Sequence, residues 1–174
     1  MTATFTIVTD CAAHADGIAA VTRAAFEKEY GSGDGEVALI AQLRADGDVA
    51  VELAALEGNT VVGHTLFSRL VATPATIRVA ALAPVSVRVD RQKSGVGSAL
   101  IRDGLAHCKA LGFDAAAVLG DPDYYKRFGF TPEAARKFES EYSGDHFQAL
   151  ELREGVLRAG RWKLAYPKAF GAVG

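Results

Sequence analysis

The amino-acid sequence predicts a mixed α/β fold: one domain with a central, mostly antiparallel sheet and helices on both faces. The chain has 174 residues, a usual length for one domain, and 49% of them are hydrophobic, which is enough to form a core. Strand-like and helical segments alternate along it, and only the unit from about residue 77 to 119 has the form of a parallel strand–helix–strand crossover. We therefore treat residues 1–174 as a single domain.

The N-terminal segment is predicted to form one strand and two helices. Residues 5–8 are strand-like, and Asp10 is suited to cap the helix that follows. Apolar residues at helical spacing, among them Ile18 and Val21, form one face of that helix. A second short helix is predicted over residues 36–44, after a glycine-rich loop.

The middle of the chain is predicted to form strands. Segments 49–56 and 61–70 flank a Gly-Asn turn signal, so together they predict a hairpin. A third strand is predicted over residues 77–89. It contains Pro84, and proline within a strand indicates an edge, a bulge or a lost ladder hydrogen bond.

The C-terminal part is predicted to return to alternating helices and strands. A helix over residues 97–111 ends before a glycine, and 115–119 follows as a short buried strand. A short helix over 123–128 comes next. Residues 147–152 and 161–165 are two further strand candidates.

Composition and spacing disfavour several functional classes. The formal net charge of −2, the pI of about 6.1 and the lack of a Lys/Arg cluster disfavour nucleic acid as a partner. No apolar run reaches the roughly 18–20 residues of a membrane span, and a secretory signal is not evident. We therefore expect a cytoplasmic protein with no membrane partner. Cys11 and Cys108 form no CxxC pair and the histidines show no HExxH spacing, so no metal is expected.

A glycine turn between a strand and a helix, from Val85 to Leu100, is the segment most informative about function. Gly95 and Gly97 carry no Cβ, so the backbone there can approach a ligand closely. The first amides of the following helix lack internal partners and, with the helix dipole, favour an anion such as phosphate. The dinucleotide pattern GxGxxG fails because Leu100 replaces its third glycine, and the P-loop pattern fails because Lys93 precedes both glycines.

The segment Gln92-x-x-Gly95-x-Gly97 resembles the Q/R-x-x-G-x-G/A signature of the GNAT superfamily of N-acetyltransferases, in which this turn wraps the pyrophosphate of acetyl-CoA. The chain from about residue 5 to 165 is similar to one bacterial subgroup of that superfamily. The resemblance implies acetyl-CoA as co-substrate. It implies cofactor contacts along the strand end and the turn: Val85, Ser86, Val87, Gln92, Lys93, Ser94, Gly95, Val96, Gly97, Ser98 and Ala99. The alternative is an ordinary glycine-containing loop before a helix.

A second motif, Tyr125-x-x-x-Gly129-Phe130, resembles the Y-x-x-x-G-F element of the same superfamily. Tyr125 matches the family's general-acid position. Tyrosine suits this role because its reference pKa near 10 keeps it protonated at neutral pH, able to donate to a departing thiolate. The alternative is that Tyr125 is a packing residue beside Phe128 and Phe130. Its neighbour Tyr124 is expected to be structural.

The strand before the turn is expected to bind the rest of the cofactor. An unpaired edge from Val85 to Val87 can hold the pantetheine amides like an extra strand, and the N–H of Val87 can act as an oxyanion donor. One position departs from the family pattern. Val118 stands where many members carry an asparagine that contacts the pantetheine arm, so that contact is expected from backbone or from Asp121.

An amine substrate arrives mostly protonated, so some group must remove a proton. The candidates are titratable side chains near the expected cleft: Glu27, Glu29, Glu36, Glu52 and His64. We name Glu29 and Glu52 as first candidates, because the superfamily often uses a carboxylate that acts through water. For each of them the alternative is an ordinary solvated charge or a satisfied polar group.

Together these features predict an enzyme that moves an acetyl group from acetyl-CoA to a primary amine by direct attack in a ternary complex. A non-catalytic acyl-CoA-binding or regulatory module is the alternative. A toxin-like acetyltransferase acting on charged tRNA is disfavoured by the mildly acidic composition. The acceptor is expected to be a small-molecule or peptide amine, and a homodimer that pairs the late strands stays open.

Overall fold

The computed structural model describes residues 4–172, and the elements below lie within that range. The helices are α1 (Ala15–Tyr30), α2 (Asp34–Asp46), α3 (Val96–Ala110), α4 (Pro122–Tyr125) and α5 (Pro132–Ala135). The strands are β1 (Thr6–Val8), β2 (Val49–Glu57), β3 (Thr60–Arg69), β4 (Val71–Thr73), β5 (Val79–Val87), β6 (Ala115–Leu119), β7 (Phe138–Glu139), β8 (Phe147–Glu151) and β9 (Trp162–Ala165). Short 3-10 turns cover Ala12–His14, Val89–Arg91, Lys126–Phe128, Val156–Ala159 and Lys168–Ala172. No helix within residues 4–172 has the length and hydropathy needed to cross a membrane.

Six strands form the main sheet in the order β1-β2-β3-β5-β6-β8. Neighbouring strands are antiparallel except for β5 and β6, which run parallel and are connected by α3. The predicted hairpin is β2–β3, and the predicted crossover is β5–α3–β6. The prediction of a mixed, mostly antiparallel sheet is therefore confirmed.

Helices cover both faces of the main sheet because successive side chains of a strand point to opposite faces. On β2, Leu53 and Ala55 belong to a core cluster that includes Leu100 of α3. Ala54 and Leu56, the alternate positions, belong to a cluster formed with α1 and α2. We refer below to the α3 face and the α1/α2 face of the sheet.

Glycines let α3 lie unusually close to the sheet. A Cβ on Gly104 of α3 would lie 2.2 Å from the Phe67 ring of β3. A Cβ on Gly63 of β3 would lie 2.8 Å from Val96 and 2.9 Å from Leu100. Since Val96 is the first residue of α3, these contacts fix the start of that helix against β3 and, through it, beside the end of β5.

The loop between α1 and α2 is shorter than the sequence predicts. α1 continues to Tyr30 and ends where Gly31 adopts a left-handed conformation with φ 86°, and α2 already begins at Asp34. Gly33 is required for this tight connection, because a Cβ there would lie 2.4 Å from the carbonyl oxygen of Arg23. The end of α1 is thereby held in one place beside the sheet.

A separate small sheet has the strand order β4-β9-β7. The sequence analysis placed β9 in the central sheet and did not detect β4 or β7. Residues 161–165 were predicted as a strand and form β9 from Trp162, but it pairs with β4 and β7 instead of the main sheet. β7 contains only two residues, so no periodic pattern was available to reveal it. The inner face of this sheet packs Phe138, Trp162 and Leu164 into a core cluster of its own.

Candidate active site

The parallel strands β5 and β6 separate partway along their length. They pair only where Val79 to Leu82 of β5 face Ala115 to Val118 of β6. β5 continues to Val87, still paired to β3 on its other side. Within residues 4–172, the edge of β5 that follows Leu82 therefore has no strand partner on the β6 side.

A β-bulge at Pro84 marks the point where the two strands part. The β3 partners Phe67 and Thr65 are two residues apart, whereas their β5 partners Leu82 and Val85 are three residues apart. One extra residue on β5 bends the strand and increases its local twist. Of the alternatives that Pro84 indicated, an edge, a bulge or a lost ladder hydrogen bond, the structure shows a bulge, and it lies where the open edge begins.

The direction of the backbone groups on the open edge follows from the hydrogen bonds to β3. The N–H of Arg88 donates to the carbonyl of Val62 on β3 at 2.8 Å. Because N–H groups alternate in direction along a strand, the N–H of Val87 points to the open edge. The carbonyl of Val87 already accepts a hydrogen bond from Nε2 of Gln92 at 3.2 Å. The Val87 N–H is thus the group left for a ligand.

The glycine turn continues directly from this edge. Gln92 has extended backbone, Lys93 takes the left-handed region at φ 63°, and Gly95 follows at φ 96° before α3 begins. Lys28 of α1 donates a hydrogen bond to Oε1 of Gln92 at 3.2 Å. With its second bond to the carbonyl of Val87, Gln92 ties the turn to both β5 and α1.

The N-terminus of α3 faces the corner where the open edge ends. Its N-cap residue, Gly95, offers no side-chain cap to the first amides of this 15-residue helix. A Cβ on Gly97 would lie 3.3 Å from Cγ2 of Val87 and 3.7 Å from the hydroxyl of Tyr124. Uncapped amides, a helix dipole and close glycine backbone together favour an anion at this position.

The two tyrosines of α4 occupy different environments beside this corner. The Tyr125 ring packs against Gly120, where a Cβ would lie 2.6 Å from the ring. Burial raises the pKa of Tyr125 to about 12, with smaller contributions from Tyr124 and Tyr30. Tyr124 meets Tyr125 edge-to-face at 4.9 Å, and the Arg127 guanidinium lies 4.4 Å above its ring. Tyr125 therefore stays protonated at neutral pH, and Tyr124 points its hydroxyl to the start of α3.

The end of α1 forms the opposite rim of the opening. Tyr30 is 72% exposed, stacks on Phe26 at 5.8 Å and contributes to the raised pKa of Tyr125. Partial burial raises the pKa of Tyr30 itself, and so do the nearby carboxylates of Glu29 and Glu36. The structure thus places Glu29 and Glu36 near Tyr30, on the exposed rim.

Glu52 lies deeper, on β2, and is engaged by a guanidinium. Arg44 of α2 donates Nε to Glu52 at 2.7 Å and a second guanidinium nitrogen at 3.0 Å. Burial raises the pKa of Glu52, but the nearby His64 and the hydrogen bonds from Arg44 outweigh burial and bring it down to about 2. A carboxylate with so low a pKa accepts a proton poorly at neutral pH, which argues against Glu52 as the base.

Neither the backbone nor the side chain of Ser86 points to the open edge, because its backbone groups alternate with those of Val87 and point to β3. Its hydroxyl lies 3.2 Å from the hydroxyl of Thr22 on α1, and both side chains are buried on the α1/α2 face. Across the sheet, Ser86 of β5 pairs with His64 of β3.

One residue that the sequence analysis did not select supports the site. Gln148 of β8 is fully buried opposite Val118, and its Nε2 donates to the carbonyl of Gly120 at 3.0 Å. It thus holds the turn against which Tyr125 packs. Val118 itself lies in the core, and Asp121 caps α4 by accepting the N–H of residue 123 at 3.0 Å. No local pattern distinguishes Gln148, because its role depends on strand pairing 30 residues from its partner.

Comparison with known proteins gives consistent matches. The model of the acetyltransferase (GNAT) family matches residues 16–130. The uncharacterized N-acetyltransferase YhbS of Escherichia coli strain K12 is 29% identical over 159 residues, covering 90% of this chain and 92% of that protein. The YhbS crystal structure in complex with CoA superposes with a TM-score of 0.87 at 28% identity, covering 96% and 92% of the two chains. A GNAT family acetyltransferase of Brucella melitensis in complex with acetyl-CoA gives a TM-score of 0.81 at 32% identity, covering 97% and 99%.

Proposed function

This chain belongs to the GNAT family of acetyltransferases, and we propose that it moves an acetyl group from acetyl-CoA to a primary amine by direct attack in a ternary complex. The observation that carries the proposal is the open edge of β5, which leads without interruption into the uncapped N-terminus of α3. The YhbS and Brucella proteins were crystallised with CoA and acetyl-CoA, which supports the same cofactor here.

The cofactor is proposed to lie along two adjoining surfaces. Its pyrophosphate binds the backbone amides of the turn and of the first residues of α3, from Gly95 to Ala99. Its pantetheine arm runs along the open edge from Val85 to Val87, where main-chain groups can hydrogen-bond its amides as an added strand would. Gln92 acts indirectly, since both ends of its amide already bind protein groups.

The reaction needs a donor for each developing negative charge. The N–H of Val87 points to the open edge and is proposed to polarise the thioester carbonyl as the amine attacks. Tyr125 is proposed to donate to the sulfur as the carbon–sulfur bond breaks. Its pKa of about 12 exceeds that of a thiol, near 8.5, so donation of a strong hydrogen bond accounts for more of its effect than complete transfer.

A non-catalytic acyl-CoA-binding module is the second reading of the same surfaces. The turn and the open edge would serve binding alone equally well. A partly buried tyrosine that packs against a glycine beside them has no purpose in binding the pyrophosphate, and this favours the transferase. The acceptor is proposed to be a small-molecule or peptide amine that enters past the rim formed by the end of α1.

Calorimetric titration of acetyl-CoA into the wild type and Gly97→Glu tests the proposal. The variant places a carboxylate and added bulk at the proposed pyrophosphate position, so we expect binding in the micromolar range for the wild type and none for the variant. Gly171→Glu is the matched control, because a Cβ at Gly171 meets nothing within 4 Å. Absence of binding by the wild type would overturn the proposal, as would equal binding by a folded Gly97→Glu.

A further inference from the structure

Among the residues that the structure describes, His64 is a buried side chain with two unpartnered polar atoms. It is fully buried on β3, yet neither ring nitrogen has a hydrogen-bond partner within residues 4–172. An unpaired buried polar group destabilises the fold, so most such groups in proteins are satisfied. A buried histidine with unpartnered ring nitrogens therefore suggests that one of these nitrogens has a role in function.

The surroundings of His64 form a polar row across the α1/α2 face. Oε2 of Glu52 lies 3.6 Å from Nε2 of His64, and Glu52 is held in turn by Arg44. On the other side Ser86 of β5 is the direct strand partner of His64, and its hydroxyl adjoins that of Thr22. The row therefore begins at the guanidinium of Arg44 and ends at Ser86 on β5. β5 is also the strand whose open edge is proposed to bind the thioester.

We propose that His64 receives the proton that the attacking amine loses, through the hydroxyl of its strand partner Ser86, which lies beside the Thr22 hydroxyl in this structure and turns to the unpartnered Nδ1 during the reaction. The Glu52 carboxylate, 3.6 Å from Nε2, favours by its charge the tautomer that carries the proton on Nε2 and leaves Nδ1 free to accept one. This inference rests on the proposed acetyl transfer and assigns the base that the reaction requires. His64 acts through Ser86, so it is a positioning residue for proton removal and does not itself touch the substrate.

The charges around His64 suit a proton acceptor. Burial lowers the pKa of His64 below its ordinary value, although Glu52 opposes this, so the ring is neutral at pH 7 and able to accept. Arg44 is a fixed cation that lowers the same pKa. Cys11, next to Glu52, is protonated and uncharged, since burial raises its pKa to about 12. Once protonated, the imidazolium is stabilised by the ionised Glu52.

The proton balance of the step is complete. The ammonium form of the substrate gives one proton to Oγ of Ser86, which passes its own proton to Nδ1 of His64, and the freed lone pair of the nitrogen bonds to the carbonyl carbon. The tetrahedral intermediate collapses and the carbon–sulfur bond breaks, with a hydrogen bond from Tyr125 to the departing sulfur. The second proton of the nitrogen passes to the thiolate, so the products are the amide and CoA thiol, and His64 returns its proton to solvent.

The other candidate bases are less well placed. Glu52 has a pKa of about 2, which makes it an orienting anion for His64. Glu29 and Glu27 are exposed on the rim of α1, where water competes for any proton they exchange. His64 is the candidate that combines a neutral resting state with a direct neighbour on β5.

Steady-state kinetics of three variants test the proposal, with a panel of polyamines, aminoglycosides, amino acids and peptides as acceptors. For His64→Gln we expect kcat to fall about 100-fold or more, the usual contribution of a general base. Ser86→Ala should fall similarly, and Glu52→Gln less. Ser68→Ala is the matched control, because Ser68 is an equally buried, unpartnered hydroxyl on β3. CoA titration of each variant should give the wild-type affinity, which shows that the fold and cofactor site persist.

The pH profile separates proton removal from a purely structural role. Wild-type kcat should rise with pH through an apparent pKa below 6.5 as His64 loses its proton. In Glu52→Gln that limb should move to lower pH, since the group that raises the His64 pKa is gone. In His64→Gln it should vanish, and the rate should follow the fraction of deprotonated amine. Wild-type kinetics and profile in His64→Gln would overturn the relay alone, whereas no turnover by the wild type with any amine would overturn the transferase and the relay together.

Discussion

The two halves of β5 differ in what lies beside them. The first half, Val79 to Leu82, is paired with β3 on one side and β6 on the other. The second half, after the bulge, keeps β3 but has no strand on the β6 side within the described residues. A single extra residue at Pro84 thus converts one strand from core structure into a ligand-binding edge. The proposed binding edge therefore arises where the pairing of a regular strand, β5, is interrupted, and no additional element is needed to form it.

The surroundings of the two halves match this division. Ala80 and Ala81 in the first half are almost completely buried, and Leu82 pairs with the buried Phe67. Val85 and Val87 in the second half are only partly buried, and backbone groups on their open side must find partners in water or in a ligand. Substitutions beside the first half should change stability, and those beside the second should change binding or turnover.

The largest effect is expected beside the open half, from Tyr125→Phe. Loss of the hydroxyl should lower kcat about 100-fold, or about 3 kcal/mol in activation free energy, because the thiolate then leaves without a donor. The ring packing against Gly120 is kept, so the melting temperature should change little. Tyr142→Phe, at a tyrosine that instead packs edge-to-face with Tyr166 at 4.7 Å, should keep the wild-type rate. Full activity of Tyr125→Phe at every pH would exclude the acid role.

A second large effect is expected on the stability of the fold at acid pH, from Glu52 on the α1/α2 face. The pKa of Glu52 is about 2 in the folded protein and near 4.5 when unfolded, so its ionisation stabilises the fold above pH 4.5. This stabilisation should be lost as pH falls from about 5 to 2, by roughly 3 kcal/mol. Urea unfolding at several pH values should show that loss in the wild type and a flatter curve in Glu52→Gln. Parallel curves for the two proteins would contradict the assigned pKa.

The sequence predicted the open half better than it predicted the polar row behind it. The signals in the open half are local. Gly95 and Gly97 lack a Cβ and Pro84 lacks a backbone N–H, so the effect of each on the backbone can be read from the residue itself. The approach of Glu52 to His64, by contrast, depends on the register between β2 and β3, which shifts at two irregular positions. Residue pattern does not fix such shifts, so both side chains could be named as candidates but not as neighbours.

An intermediate effect, on stability, is expected from Gly104→Ala, which lies beside the first half of β5. The added Cβ would lie 2.2 Å from the fully buried Phe67 ring, so either α3 or the ring must move. Overpacking of this kind typically costs about 1–3 kcal/mol in the free energy of unfolding. Urea denaturation measures it, and Gly171→Ala, in open surroundings, is the control. Affinity for CoA should change far less than stability, and a large affinity loss with unchanged stability would contradict the division between the two halves.

The smallest effect is expected from Tyr124→Phe, and it tests whether the open half extends to α4. The Tyr124 hydroxyl lies at the corner formed by Val87 and Gly97, where the pyrophosphate is proposed to meet the pantetheine arm. One hydrogen bond from a hydroxyl to a charged group is worth about 1.5 kcal/mol, so the Kd for CoA should rise about tenfold while kcat at saturating acetyl-CoA is kept. Tyr125→Phe should show the reverse pattern. An unchanged Kd would return Tyr124 to a packing role beside Phe128 and confine cofactor recognition to the strand edge and the glycine turn.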